Sequence, residues 1–107
     1  MKRTNALAIQ RAVRERVAAR DSVDGWPCCI WCGRPAPTEN RLAFSNAHYI
    51  ARSQGGLGIE QNILTLCPIC HREYDTVKRK EYRPLFRRYL CEHYENWREE
   101  DLTYEKL

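Results

Sequence analysis

Cys29-Ile30-Trp31-Cys32 and Cys67-Pro68-Ile69-Cys70-His71 are the stretches that decide how this chain folds. Each Cys-x-x-Cys pair can bite one ion from a tight turn, and together they supply the four thiolates of a closed tetrahedral zinc site. The 34 residues between the pairs exceed a short zinc-ribbon gap, so a folded insertion is expected there. Gly33 permits the sharp turn of a knuckle after the first pair. Cys28-x-x-x-Cys32 is a competing choice whose spacing is less symmetrical with the second pair. Cys91 stands alone on an expected helix and reads as a small buried hydrophobe.

A staple suits the rest of the composition. The 107 residues, 43% apolar and 30% charged with only two Phe, are read as one domain, 1–107, with a thin core. No run of about twenty apolar residues offers a membrane span. No apolar signal core follows Met1-Lys2-Arg3, since Arg11, Arg14 and Arg16 interrupt it. With neither feature, the protein is expected in the cytoplasm, where thiols stay reduced and paired cysteines bind metal.

Four thiolates and a zinc ion lower the net charge from +4 to about +2, so charge distribution says more than the total. Residues 1–20 hold six Lys/Arg and one acid, and residues 71–90 hold seven against three. From Glu92 onward the balance reverses, with six acids. Two basic segments and an acidic end fit a surface with one side facing a polyanion.

Outward from the cysteines, residues 4–20 read as an amphipathic helix with Ala6, Ile9, Val13 and Val17 on one face. Asp21 to Gly25 breaks it. Leu42 and Phe44 alternate with small residues as a short strand, and Tyr49-Ile50 starts a second. Gln54-Gly55-Gly56-Leu57-Gly58 is a loop whose glycines allow positive φ. Pro68 suits the first position of a helix carrying His71 and Asp75. A further helix is expected from Pro84, with Leu85, Phe86, Tyr89 and Leu90 inward, and a last short one from the capping-box spacing Asn96 to Glu99. The organisation is thus an N-terminal helix (1–20), zinc knuckles plus a core (26–78), and C-terminal helices (83–107). Trp26, Trp31 and Trp97 are read as packing residues.

His71 and Asp75, four apart on one helix face, could hold a divalent ion and leave positions open for water and phosphate. A neutral His48 is suited to take a proton from attacking water. Ala47-His48-Tyr49-Ile50-Ala51-Arg52-Ser53-Gln54-Gly55-Gly56, followed by Asn62-Ile63-Leu64-Thr65-Leu66-Cys67-Pro68-Ile69-Cys70-His71, resembles the signature of HNH endonucleases, most of all their compact four-cysteine phage and bacterial members.

That resemblance covers roughly residues 29–75 and implies a small α+β fold, a zinc-stapled ββα-metal (His-Me) finger flanked by N- and C-terminal helices. It implies catalytic roles for His48 as general base, Asn62 as the residue pinning the loop that orients it, and His71. Structural zinc would sit on Cys29, Cys32, Cys67 and Cys70, and a catalytic Mg²⁺, Mn²⁺ or Ni²⁺ on His71 and Asp75. The implied partner is nucleic acid, double-stranded DNA above all, gripped by Arg52, Arg72, Lys78 and Arg79, with a phage packaging or restriction partner alongside. Two positions depart from the pattern. Ala47 stands where the family usually has an Asp or His metal ligand, and Ala51 where a Pro often follows. Asn46 would need a register shift to stand in. Ala47 keeps open a second reading, a zinc-binding module that docks DNA or protein without cutting.

Overall fold

A computed structural model describes residues 3–38, 40 and 42–104. It has four helices, α1 (Arg3–Leu7), α2 (Arg11–Arg20), α3 (Pro68–Thr76) and α4 (Arg79–His93), and four strands, β1 (Ser22–Val23), β2 (Trp26–Pro27), β3 (Ser45–His48) and β4 (Ile63–Leu66). β1 and β2 form a tight antiparallel ribbon, and β3 pairs antiparallel with β4, setting Asn46 opposite Thr65 and His48 opposite Ile63. The chain is therefore a small α+β protein. Helix α3 follows directly on β4, so β3, β4 and α3 form the expected ββα unit with the second cysteine pair at its strand–helix junction. Among the described residues no helix is long and apolar enough to cross a membrane.

Every residue of β4 is buried, because α2 covers one face of the hairpin while α3, backed by α4, lies against the rest. The main core gathers Tyr49, Leu64, Leu66, Tyr74, Tyr82, Phe86 and Leu90, and a smaller cluster joins Val13 and Val17 of α2 to Ile63. Fully burying one such side chain stabilises the fold by roughly 2 kcal/mol. The tryptophans pack as expected. Trp31 stacks on Tyr82 with centroids 3.8 Å apart, while Trp26 and Trp97 donate their indole N–H groups to Ala36 and Gln61 carbonyls.

Several expected elements are corrected. The helix expected over residues 4–20 breaks between Leu7 and Arg11, because the Ala6 and Leu7 carbonyls accept from Gly58 N and His48 Nε2 rather than from helix amides. No strand forms at Leu42 and Phe44. Asn40 turns the chain there, its side chain and carbonyl accepting from Leu42 N and Ala43 N. Tyr49-Ile50 starts no strand either, since both polar backbone groups of Ile50 are taken by the Asn62 side chain. Among the three loop glycines only Gly55 has a positive φ, 83°.

Helix α4 begins at Arg79 and runs through Pro84. The buried stripe Tyr82, Phe86, Leu90 starts ahead of the proline at helical spacing, and Leu85 falls off it at 39% exposure. Cys91 lies on the outer side of α4 and is exposed, not buried. Asn96 takes φ 60° and starts no capping box; a 3₁₀ turn, Glu99–Leu102, forms instead. Glu99 reaches away to Tyr49, Arg83 and Arg87.

Candidate metal centre and catalytic cleft

The first knuckle is fixed by local hydrogen bonds. Gly33 N donates to Cys29 O at 2.9 Å, Cys29 N to Arg34 O at 2.9 Å, and Ile30 N crosses to Thr65 O of β4 at 3.0 Å. The second follows from Cys67 capping α3, its sulfur accepting from Cys70 N at 3.5 Å, with Pro68 opening the helix. The sulfurs of Cys29, Cys32, Cys67 and Cys70 consequently lie within 4.8 Å of one another.

Zinc–sulfur bonds of about 2.3 Å in a tetrahedron put sulfurs about 3.8 Å apart, and Cys32 and Cys67 Sγ stand 3.9 Å apart. The four residues fit a structural zinc ion. Burial pushes the Cys29 and Cys70 thiols up. At Cys32 burial also works upward, but the Arg34 amide and the other sulfurs outweigh it and lower the thiol. Cys28 is outside the cluster, its sulfur donating to Trp26 O at 3.4 Å. The competing pair is therefore not the one that assembles.

Beside this centre opens a cleft of about 640 Å³ whose lining includes Asn46, His48, Arg52, His71, Asp75 and Arg79. Strand β3 carries His48 and helix α3 carries His71 and Asp75, one helical turn apart. His71 Nδ1 meets Ser45 Oγ at 2.7 Å, and its Nε2 lies 3.1 Å from Asp75 Oδ2. Asp75 Oδ1 is 3.5 Å from Arg79, which also donates to Tyr49 O at 3.0 Å.

His48 Nε2 stands 2.8 Å from Leu7 O. A carbonyl can only accept, so Nε2 carries the proton and Nδ1 keeps its lone pair. Burial lowers the His48 pKa from the ordinary imidazole value and Arg52's charge lowers it further, against the opposing pull of the Leu7 carbonyl. The ring is thus neutral at pH 7.

Asn62 is fully buried and binds the loop on both sides. Its Oδ1 accepts from Ile50 N, and its Nδ2 donates to Ile50 and Leu57 carbonyls.

Residues 29–76 match the family model described as HNH endonuclease. This stretch is an HNH domain. No curated protein matches the chain.

Within the HNH domain, Ala47 has no exposure and belongs to the core. Asn46, two residues before His48 and so on the same strand face, lines the cleft without any register shift. Its Oδ1 accepts from Arg14 Nε at 2.7 Å. Arg52 and Arg79 reach the cleft, whereas Arg72 and Lys78 are absent from its lining. Lys78 instead lies 3.8 Å from Glu73.

Sequence reading missed three contributors. Ser45 carried a faint signal, since its strand position faces the start of α3, where a hydroxyl can orient an imidazole. Arg14 was one of several basic residues on an expected helix face. The Leu7 carbonyl left none, because a backbone group has no residue signature.

Proposed function

We propose that the chain is a metal-dependent endonuclease that hydrolyses phosphodiester bonds of DNA with low sequence specificity, residues 1–107 acting as one unit. The observation carrying this reading is that His48 of β3 and His71 and Asp75 of α3 line one open cleft within the stretch matched by the HNH model. His48, neutral and with Nδ1 as its lone-pair nitrogen, takes the proton from the attacking water. General-base action of this kind contributes roughly 10²–10⁴-fold. Asn62 holds the loop that supports it.

His71 Nε2 and Asp75 Oδ2, an imidazole nitrogen and a carboxylate oxygen 3.1 Å apart, are a donor pair suited to a divalent ion. Bound there, Mg²⁺, Mn²⁺ or Ni²⁺ would stabilise charge on a non-bridging phosphate oxygen and on the leaving 3′ oxygen. Ser45 keeps His71 facing that position. Arg52, exposed at the rim, and Arg79 contact backbone phosphate. Arg72 and Lys78, outside the cleft lining, contribute at most to the approach of the duplex.

One observation favours a second reading, docking without cutting. Among the described residues only the cysteine cluster brings three or more His, Cys, Asp or Glu ligand atoms together. A plasmid-nicking assay with Mg²⁺, Mn²⁺ or Ni²⁺ against an EDTA control separates the two. Metal-stimulated nicking that disappears in a folded, DNA-binding His48→Ala protein supports the nuclease. Nicking by none of the ions, or undiminished nicking by His48→Ala, overturns it.

A further inference from the structure

Leu7 lies outside the family-matched stretch of residues 29–76, yet its carbonyl is the partner of His48 Nε2. This contact is the product of a close backbone docking. The Ala6 carbonyl accepts from Gly58 N at 3.0 Å. A Cβ added at Gly58 would fall 2.0 Å from the Ala8 carbonyl oxygen and 2.6 Å from its carbon, so residues 6–8 fit only against a residue without a side chain. The Leu7 side chain, 3% exposed, anchors the same segment. Helix α1 ends here because its last carbonyls are turned to the HNH domain.

We propose that residues 6–8, registered by Gly58, form a positioning element that holds His48 in the Nε2–H tautomer and leaves Nδ1 as its proton acceptor. This rests on His48 being the base. The N-terminal segment is then part of the catalytic apparatus, and Gly58 a positioning residue for it. The imidazole has two neutral tautomers, and only the one protonated at Nε2 can donate to Leu7 and accept at Nδ1. If the segment shifts by even one ångström, His48 loses its partner and its orientation, a misplacement that can cost about 100-fold in rate.

The test is ¹⁵N spectroscopy of the His48 imidazole in the full-length zinc-loaded protein, alongside single-turnover nicking. The wild type is expected to show the Nε2–H tautomer. Gly58→Ala is expected to retain zinc and DNA binding, to show mixed tautomers, and to nick about 100-fold more slowly. Should Gly58→Ala fail to load zinc, Leu7→Ala, which keeps the carbonyl but removes the buried anchor, is read in the same way.

A wild-type Nδ1–H ring overturns the proposal. So does a variant that keeps the pure wild-type tautomer while only its melting temperature falls, since that describes a structural contact alone. A tautomer that responds to Gly58 in a protein that nicks with no metal supports the positioning and overturns the nuclease reading beneath it.

Discussion

Asn62 clamps Ile50 from both sides, its Oδ1 accepting from the Ile50 amide at 2.8 Å and its Nδ2 donating to the Ile50 carbonyl at 3.2 Å. The same amide nitrogen reaches Leu57 O at 2.9 Å, and the Asn62 carbonyl accepts from Tyr49 N at 2.7 Å. A single buried side chain thus replaces the strand ladder just where β3 ends at His48. Removing it strands buried backbone groups, each of which costs about 1–3 kcal/mol. Asn62→Ala is expected to lose about 3 kcal/mol in urea unfolding and to nick more slowly. A loss under about 1 kcal/mol would show that the loop is held by other contacts.

The sequence made some of this legible and hid the rest for physical reasons. The cysteine spacing, Pro68 and the helix face joining His71 to Asp75 are local patterns, and each appears in the fold. The break after Leu7 was hidden because residues 4–20 have helical periodicity, and only tertiary partners for the Ala6 and Leu7 carbonyls end the helix. Pro84 signalled a helix start too strongly. Pro84 is the sixth residue of α4, so Lys80 O lacks its helical donor, but both residues are exposed and the buried stripe from Tyr82 prevails. Asn46 was discounted in favour of its neighbour Ala47, although strand alternation puts Asn46 on the face of His48. Asp21 looked like a helix terminator and nothing more.

Zinc should carry the fold of the knuckle region. Cys29 and Cys70 are buried sulfurs whose thiols burial holds protonated, so ligation must displace their protons. Cys70→Ser is expected to lose zinc and ordered structure, read by metal content and circular dichroism. Cys28→Ser and Cys91→Ser should each bind one equivalent like the wild type. Loss of zinc in Cys28→Ser would mean that the competing pair is the true one. Because protons and metal compete for the sulfurs, chelator resistance should weaken as pH falls.

The pH dependence of nicking follows from His48. Its folded pKa lies below the ordinary 6.5, so the neutral, working form persists to lower pH than for a free imidazole. The acid limb of the rate is therefore expected to have its midpoint below pH 6.5. Arg52 contributes to that lowering by its charge. Arg52→Ala should move the limb upward, toward the ordinary value, besides weakening binding. Profiles of kcat/KM for the two proteins, whose limb reports the unbound protein, check this, and a limb that stays in place or moves to lower pH would rule out Arg52 as a source of the shift.

The buried pair Arg20–Asp21 ties the outer helices to the strand behind the cleft. Arg20 donates to Asp21 at 2.7 Å and 3.0 Å, and to the Glu60 and Ile63 carbonyls at 2.9 Å and 2.6 Å. Asp21 also accepts from Tyr89 of α4 and from Thr65 N of β4. Thr65 pairs with Asn46 across the hairpin, so this network sets the β4 register that places His48. Removing one member leaves a charge that is 91% enclosed, the Arg20 side chain being 9% exposed. Asp21→Ala is accordingly expected to lose about 3–5 kcal/mol in urea unfolding. Asp21→Asn, which keeps the shape but not the charge, should fall between it and the wild type. The double variant Arg20→Leu with Asp21→Ala should be less unstable than Asp21→Ala alone, since it removes the orphaned cation along with its partner. If the double variant instead shows the sum of two independent losses, the pair's charges do not act on each other and the strand is held by the neutral hydrogen bonds alone.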